Sequence, residues 1–157
     1  MTMARSKSTK FDVEAAHKFF AAHCFNQAWD LIEKTNRSPD EDLLMVALNQ
    51  ASIYHWSQRP DCDDQRRSVG YWQASRIQSI LGNPGEAQRY AEICLSYSRD
   101  LEPFYIGYAF EALARAAKVA GNTSRCREYL SAAEEKLKSI AGKEDRELLE
   151  KDLANLK

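Results

Sequence analysis

The chain is predicted to be all-α, a stack of antiparallel helical hairpins without a sheet. Apolar residues recur every three or four positions in several segments, as one face of a helix requires. Turn residues divide these segments, and we find no convincing alternation of apolar and polar residues. One of the clearest stripes lies in the segment after Pro103: Tyr105, Tyr108, Ala109, Ala112, Leu113, Ala116, Ala117 and Ala120.

Length and charge favour one globular binding domain. The chain has 157 residues and a net charge of −1, which argues against nonspecific binding to nucleic acid or to an anionic membrane. No apolar run approaches the roughly 18 residues of a membrane helix. The basic residues 1–9 are expected to be a flexible tail without the apolar core of a secretory signal, and residues 10–157 a single domain. Scattered cysteines favour reduced thiols, so we expect a cytoplasmic protein.

The first three helices are predicted at 10–23, 25–36 and 40–58. Ser38, followed by a proline and then Glu41, is the pattern of a capping box at the start of the third. Apolar residues lie on several sides of 40–58, which predicts a central, buried helix. The acidic stretch 61–64 begins like a calcium loop, but Gln65 and Arg66 occupy the next ligand and glycine positions. We therefore interpret it as a loop and a helix cap.

Five further helices are predicted at 65–81, 84–99, 103–120, 123–141 and 143–156. Asn83 and the proline after it predict a capped start for helix 84–99. Gly82 and Gly121 follow helical stripes, where a left-handed residue closes a helix. Helix 143–156 has a leucine stripe opposite a charged face, which is typical of the end cap of a stack. The same helix is also a candidate surface for homo-oligomer formation.

An internal repeat surrounds the two glycines. Small residues recur at the same distance before and after each one, where antiparallel helices would approach most closely. Large side chains at these positions would push the helices apart. The matching residues are Ser75, Ala87 and Cys94 around Gly82, and Ala114, Cys126 and Ala133 around Gly121.

This pattern resembles the tetratricopeptide repeat, a helix-turn-helix unit. The best matches lie in residues 71–94 and 110–133, with a weaker one in 12–32, where His23 would occupy the turn. The resemblance implies a short right-handed superhelix; the alternative is a generic helical bundle with small residues at its contacts. The residues that carry it are Tyr71, Ser75, Gly82 and Ala87, then Phe110, Leu113, Ala114, Gly121, Leu130 and Ala133, and faintly Ala16, Phe19, Phe25, Ala28 and Ile32.

The resemblance also implies a peptide-binding groove on the concave face, lined by the first helix of each hairpin. Arg76 stands four residues after Trp72, so the two side chains could hold an apolar group beside a carboxylate. We therefore expect an adaptor or scaffold that binds a peptide or a partner helix. The positions implied are Val69, Trp72, Arg76 and Ser79, then Tyr108, Glu111, Arg115 and Lys118, and faintly His17 and Phe20.

Two alternatives to this interpretation remain open. One is a small-molecule pocket around Tyr54, His55, Trp56 and Trp72, although a histidine such as His55 is more often a packing residue. The other is a self-associating structural protein joined through helix 143–156. We find no catalytic motif, cofactor loop or metal-ligand spacing, so we expect no enzyme, cofactor or metal.

Overall fold

A computed structural model describes residues 11–157, and within that range the chain is all-helical with no strand. This confirms the predicted fold class. The expected tail, residues 1–9, lies outside the described range. The seven helices are α1 (Val13–Glu33), α2 (Pro39–Ser57), α3 (Asp64–Ile80), α4 (Pro84–Ser98), α5 (Pro103–Val119), α6 (Thr123–Leu137) and α7 (Lys143–Ala154).

The first helix differs from the sequence prediction. α1 continues unbroken through His23, where two helices at 10–23 and 25–36 were expected. The segment 13–33 contains neither glycine nor proline, so nothing in it stops a helix. The weak repeat in residues 12–32 therefore forms no hairpin of its own. Instead, α1 pairs with α2.

Two helices begin at the capping residues that the sequence predicts. Ser38 forms a full capping box with Glu41 at the start of α2. Asp63, in the acidic loop, accepts a hydrogen bond of 2.9 Å from the backbone N–H of Arg66 and caps α3. The predicted Asn83 cap is wrong, because that side chain makes no cap bond and donates to the Gln78 side chain instead.

Small residues hold each hairpin together, as the repeat predicts. The six side chains flanking Gly82 and Gly121 are all buried. In the α3–α4 hairpin, the Ser75 hydroxyl donates a 2.8 Å hydrogen bond to the backbone oxygen of Ala87. Both glycines have a positive φ, of 74° and 71°. The α3–α4 and α5–α6 hairpins therefore close through left-handed glycines, and α4 packs against α5 to stack them.

α2 is not the buried central helix that its composition predicts. It lies between α1 and α3 and packs against both, while its remaining side faces solvent. Leu43 and Leu44 are 71% and 50% exposed. Its buried face is partly polar: Asn49 donates to the backbone oxygen of Gly70, and Ser52 donates to that of Ala21. Apolar residues on several sides of α2 therefore do not mean that all of these sides are packed against other helices.

α7 closes the other end of the stack. Leu149 and Leu153, with Leu156 just beyond the helix, are buried in a core cluster with residues of α5 and α6. The charged face of α7 stays in solvent. A second copy would therefore meet a charged face or the exposed Leu148 rather than the leucine stripe. Among residues 11–157, no helix combines the length and apolarity needed to span a bilayer.

Candidate binding groove

The four odd-numbered helices share one face of the stack and line a cavity of about 310 Å³. It lies on the face where a concave groove is expected. The backbones of α1 and α3 are not in close contact, because α2 lies between them and attaches the first hairpin to the rest of the stack. The resulting groove is lined by Phe25, Asn26 and Trp29 of α1, Ser68, Val69 and Trp72 of α3, Phe104, Tyr105 and Tyr108 of α5, and Leu148 and Asp152 of α7.

Aromatic rings form the walls of this groove. The rings of Trp29 and Trp72 lie 5.6 Å apart between centroids, and Trp72 meets Tyr108 edge-on at 5.4 Å. Phe104 packs edge-on against Tyr108 at 5.0 Å. Rings in such contact hold one another in position, so the cavity is shaped before any ligand arrives.

A buried carboxylate organises a polar cluster behind these rings. Glu111 is fully buried and accepts a 3.0 Å hydrogen bond from the indole nitrogen of Trp72. The guanidinium group of Arg115, one helical turn away, binds the same carboxylate through two nitrogens, with Nε at 2.9 Å. This single carboxylate therefore links α3 to α5 and fixes the orientation of one wall.

Arg76 is the member of this polar cluster with the fewest hydrogen-bond partners. Its Nη1 lies 3.9 Å from the Glu111 carboxylate, too far for a hydrogen bond. Its Nε and Nη1, like the hydroxyl of Ser79, are buried without a hydrogen-bond partner among residues 11–157. The guanidinium carbon lies 5.7 Å and 5.8 Å from the ring centroids of Trp29 and Trp72.

The charges around Arg76 do not balance it fully. Burial, and then the adjacent Arg115, lower the pKa of Arg76, while Glu111 and the more distant Asp152 offset part of that effect. An arginine stays protonated in a protein, so the lowered pKa measures unfavourable surroundings for the cation and does not imply deprotonation. The site can therefore stabilise an additional negative charge.

The α7 side of the groove is fixed by two polar contacts. The Tyr108 hydroxyl donates a 2.9 Å hydrogen bond to Asp152. Burial, and then this carboxylate, raise the pKa of Tyr108 well above its usual value. Lys118 reaches backbone oxygens at the end of α7, including that of Leu156 at 3.1 Å, so it supports α7 rather than lining the cavity.

The structure divides the residues implied for the groove. Val69, Trp72 and Tyr108 line the cavity, whereas Arg76, Ser79, Glu111, Arg115 and Lys118 do not. Arg76, Glu111 and Arg115 form a polar cluster beside Trp72. His17 and Phe20 do not line it. The sequence analysis missed the eight other lining residues: Phe25, Asn26 and Trp29 of α1, Ser68 of α3, Phe104 and Tyr105 of α5, and Leu148 and Asp152 of α7. An uninterrupted helix over 13–33, visible in the absence of breakers, would have placed Phe25 and Trp29 on one face.

The alternative pocket residues are divided between two places. Trp56 lines a smaller neighbouring cavity of about 250 Å³, which shares Phe25 with the groove, while Tyr54 and His55 line neither cavity. Trp56 is also held by cations, with the Arg59 guanidinium carbon 4.0 Å from its ring centroid. Tyr54, His55, Trp56 and Trp72 therefore do not surround a common cavity.

Within residues 11–157, no group of three or more histidine, cysteine, aspartate or glutamate side chains converges so that it could hold a metal ion. Comparison of the chain with protein-family models, with curated proteins and with solved structures finds no match.

Proposed function

We propose that the chain is a cytoplasmic protein-binding module that holds a segment of a partner protein in the groove between its odd-numbered helices. The segment, an extended peptide or a partner helix, presents a large apolar side chain next to a carboxylate. The module acts as an adaptor or scaffold. We also propose that the chain is related to tetratricopeptide-repeat proteins. The groove would then correspond to the concave face of such repeats.

The observation that carries the proposal is the pairing of an apolar cavity with an incompletely partnered cation. Arg76 has two buried nitrogens without acceptors, and one carboxylate, Glu111, faces both Arg76 and Arg115. An incoming carboxylate would supply the missing acceptors and bind as a charge-assisted hydrogen-bond partner. The positive charge of the polar cluster next to the cavity thus complements an acidic ligand group.

The aromatic walls account for the apolar half of the ligand. A cavity of about 310 Å³ between Trp29, Trp72 and Tyr108 can enclose a large aliphatic or aromatic side chain. Tryptophan, tyrosine and arginine dominate binding hot spots because they bury large areas and lose little conformational entropy. The need for both an apolar anchor and a neighbouring carboxylate also limits which segments bind. The apolar contact or the charged contact alone would bind weakly.

The test begins with a displayed library of random peptides selected on the full chain. We expect the selected peptides to share an apolar anchor beside an acidic residue or a free carboxyl end. A selected peptide is then compared with its amide analogue, in which the carboxylate becomes a neutral amide. Fluorescence anisotropy should show the amide analogue binding about tenfold or more weakly.

Two variants and two matched controls locate the binding surface. Trp29→Ala removes a wall without removing a hydrogen bond to Glu111, and Arg76→Gln removes the cation; each should weaken binding about tenfold. Tyr54→Ala and Arg89→Gln alter an exposed aromatic residue and a surface arginine that line neither cavity, so both should bind as the unaltered chain does. Circular dichroism confirms that each variant is folded.

Two outcomes would overturn the proposal. Peptides that bind the Trp29→Ala and Arg76→Gln variants undiminished would place the contact elsewhere on the protein. Saturable binding of a small aromatic carboxylate such as indole-3-acetate, with no peptide recovered, would assign the groove to small molecules instead.

A further inference from the structure

A second cluster of side chains lies between the two helices of the first hairpin, outside both cavities. It contains all three histidines of the chain. His17 and His55 lie with their ring centroids 5.0 Å apart, and Phe20 packs on His55 at 5.4 Å. His23 stacks on Phe19 at 4.9 Å. We call these side chains, together with Tyr54, the histidine cluster; the binding groove does not use it.

Within the histidine cluster, two imidazoles face each other directly. The Nδ1 atoms of His17 and His55 are 2.8 Å apart, although the residues lie on different helices. At that distance one nitrogen donates a proton and the other accepts it, so the neutral pair holds a single proton between the rings. Both side chains are half-buried and rise from helix backbones, which hold their positions more firmly than loops would.

The same two nitrogens suit a borderline metal ion. Neutral imidazole is a common ligand of Zn²⁺, Ni²⁺ and Cu²⁺. Two nitrogens bound to one tetrahedral zinc ion at about 2.0–2.1 Å lie about 3.3 Å apart, so the pair would open by about half an ångström.

We propose that His17 and His55 form a two-histidine site for a borderline divalent metal ion, with water completing its coordination. The ring that holds the shared proton at Nδ1 takes the tautomer protonated at Nε2, by exchange with water, so both rings stay neutral. The ion then binds both Nδ1 atoms and links the second turn of α1 to the last turn of α2. No third histidine, cysteine, aspartate or glutamate converges on the pair within residues 11–157. The ion therefore keeps positions open to water, unlike a closed structural zinc site.

Calorimetry on the full chain, freed of metal with a chelator and kept reduced, tests the site with ZnCl₂ and, separately, NiCl₂ at pH 7.5. We expect saturable binding. His17→Gln and His55→Gln each remove one of the two ligands and should weaken it about tenfold or more. His23→Gln is the matched control, because His23 stacks on Phe19 one and a half turns from His17 and should leave binding unchanged.

Nitrogen NMR of the histidine rings provides a readout that does not depend on affinity. Zinc should shift the Nδ1 resonances of two rings and leave those of the third in place. Absence of saturable binding, equal binding by the unaltered chain and both pair variants, or binding abolished by alkylating Cys62 would each overturn the proposal. If a glutamine variant fails to fold, the zinc-dependent ring shifts in the unaltered chain still decide the matter.

Discussion

Trp72 and Glu111 join neighbouring hairpins, because the indole nitrogen of one donates a 3.0 Å hydrogen bond to the carboxylate of the other. That carboxylate is also the partner of Arg115 and faces Arg76. Its removal would therefore leave two largely buried cations without a counter-ion.

The first prediction concerns this carboxylate. Glu111→Gln should lower the free energy of unfolding by about 3 kcal/mol, because breaking a buried ion pair leaves the partner charge uncompensated. Chemical denaturation monitored by tryptophan fluorescence measures the change. Glu128→Gln on α6 is the control; that side chain is 66% exposed and should change stability by less than about 0.5 kcal/mol. Equal effects of the two variants would show that the buried carboxylate is not a structural centre.

The second prediction concerns the docking of α7. A Cβ atom on Gly107 would lie 2.6 Å from Cδ2 of Leu149, which is itself fully buried. Gly107→Ala should therefore destabilise the protein by about 1–3 kcal/mol through overpacking. Gly85→Ala is the matched control, since nothing lies within 4 Å of a Cβ there. Hydrogen exchange should report faster opening of α7 in the first variant alone; protection that is unaltered would contradict the close contact.

The third prediction concerns the two turns that close the repeats. Gly82 and Gly121 have φ values of 74° and 71°, with open space where a Cβ would stand. Alanine at either position should cost about 1 kcal/mol through backbone strain alone. Asparagine, which tolerates this conformation better, should cost less than alanine at both. Thermal denaturation of the four variants checks this order, and an alanine variant as stable as the original chain would contradict it.

The fourth prediction concerns the buried thiol of Cys94. Burial raises its pKa to about 11, from the 9.0 of an ordinary cysteine thiol. Between these values the unfolded chain loses its proton and the folded chain keeps it, so stability should fall as pH rises from about 9 to 11. Cys94→Ala should flatten that part of the pH profile, measured by denaturation at each pH. An unchanged slope would show that this thiol does not contribute.

Thiol labelling gives a second check of the same environment. In the folded protein, Cys62 is the least buried of the four cysteines and should react first with a disulfide reagent. Cys94 should react only on unfolding, because it is inaccessible and protonated. Rapid labelling of Cys94 under native conditions would contradict its placement.

The parts of the fold that could be predicted are those in which a position requires one type of residue for a single, local physical reason. Gly82 and Gly121 are needed for a left-handed turn, and Ser75 and Ala87 for close approach of two helices. Each constraint is local in sequence, so the pattern is visible without coordinates. All four are found where the repeat requires them.

The parts that were missed depend on packing between distant segments. Nothing local shows that the outer side of α2 has no neighbour, so Leu43 and Leu44 look like core residues and are exposed. Trp29 lines the groove because α1 is one continuous helix and because α2, packed against both α1 and α3, sets the position of α1 relative to α3. The contact of Asp152 with Tyr108 depends on where the last helix docks, which its leucine stripe alone does not specify.

The attachment of the first hairpin has a consequence for cooperative opening. Its seam with α3 combines a buried apolar cluster of Ala28, Met45 and Ile77 with hydrogen bonds from Asn49 to the Gly70 carbonyl and the Gln73 side chain. Gln73 also donates to the backbone oxygen of Phe25, so one α3 side chain is bonded to both helices of the hairpin. Hydrogen exchange should therefore report α1 and α2 separating from α3 as one unit rather than one after the other.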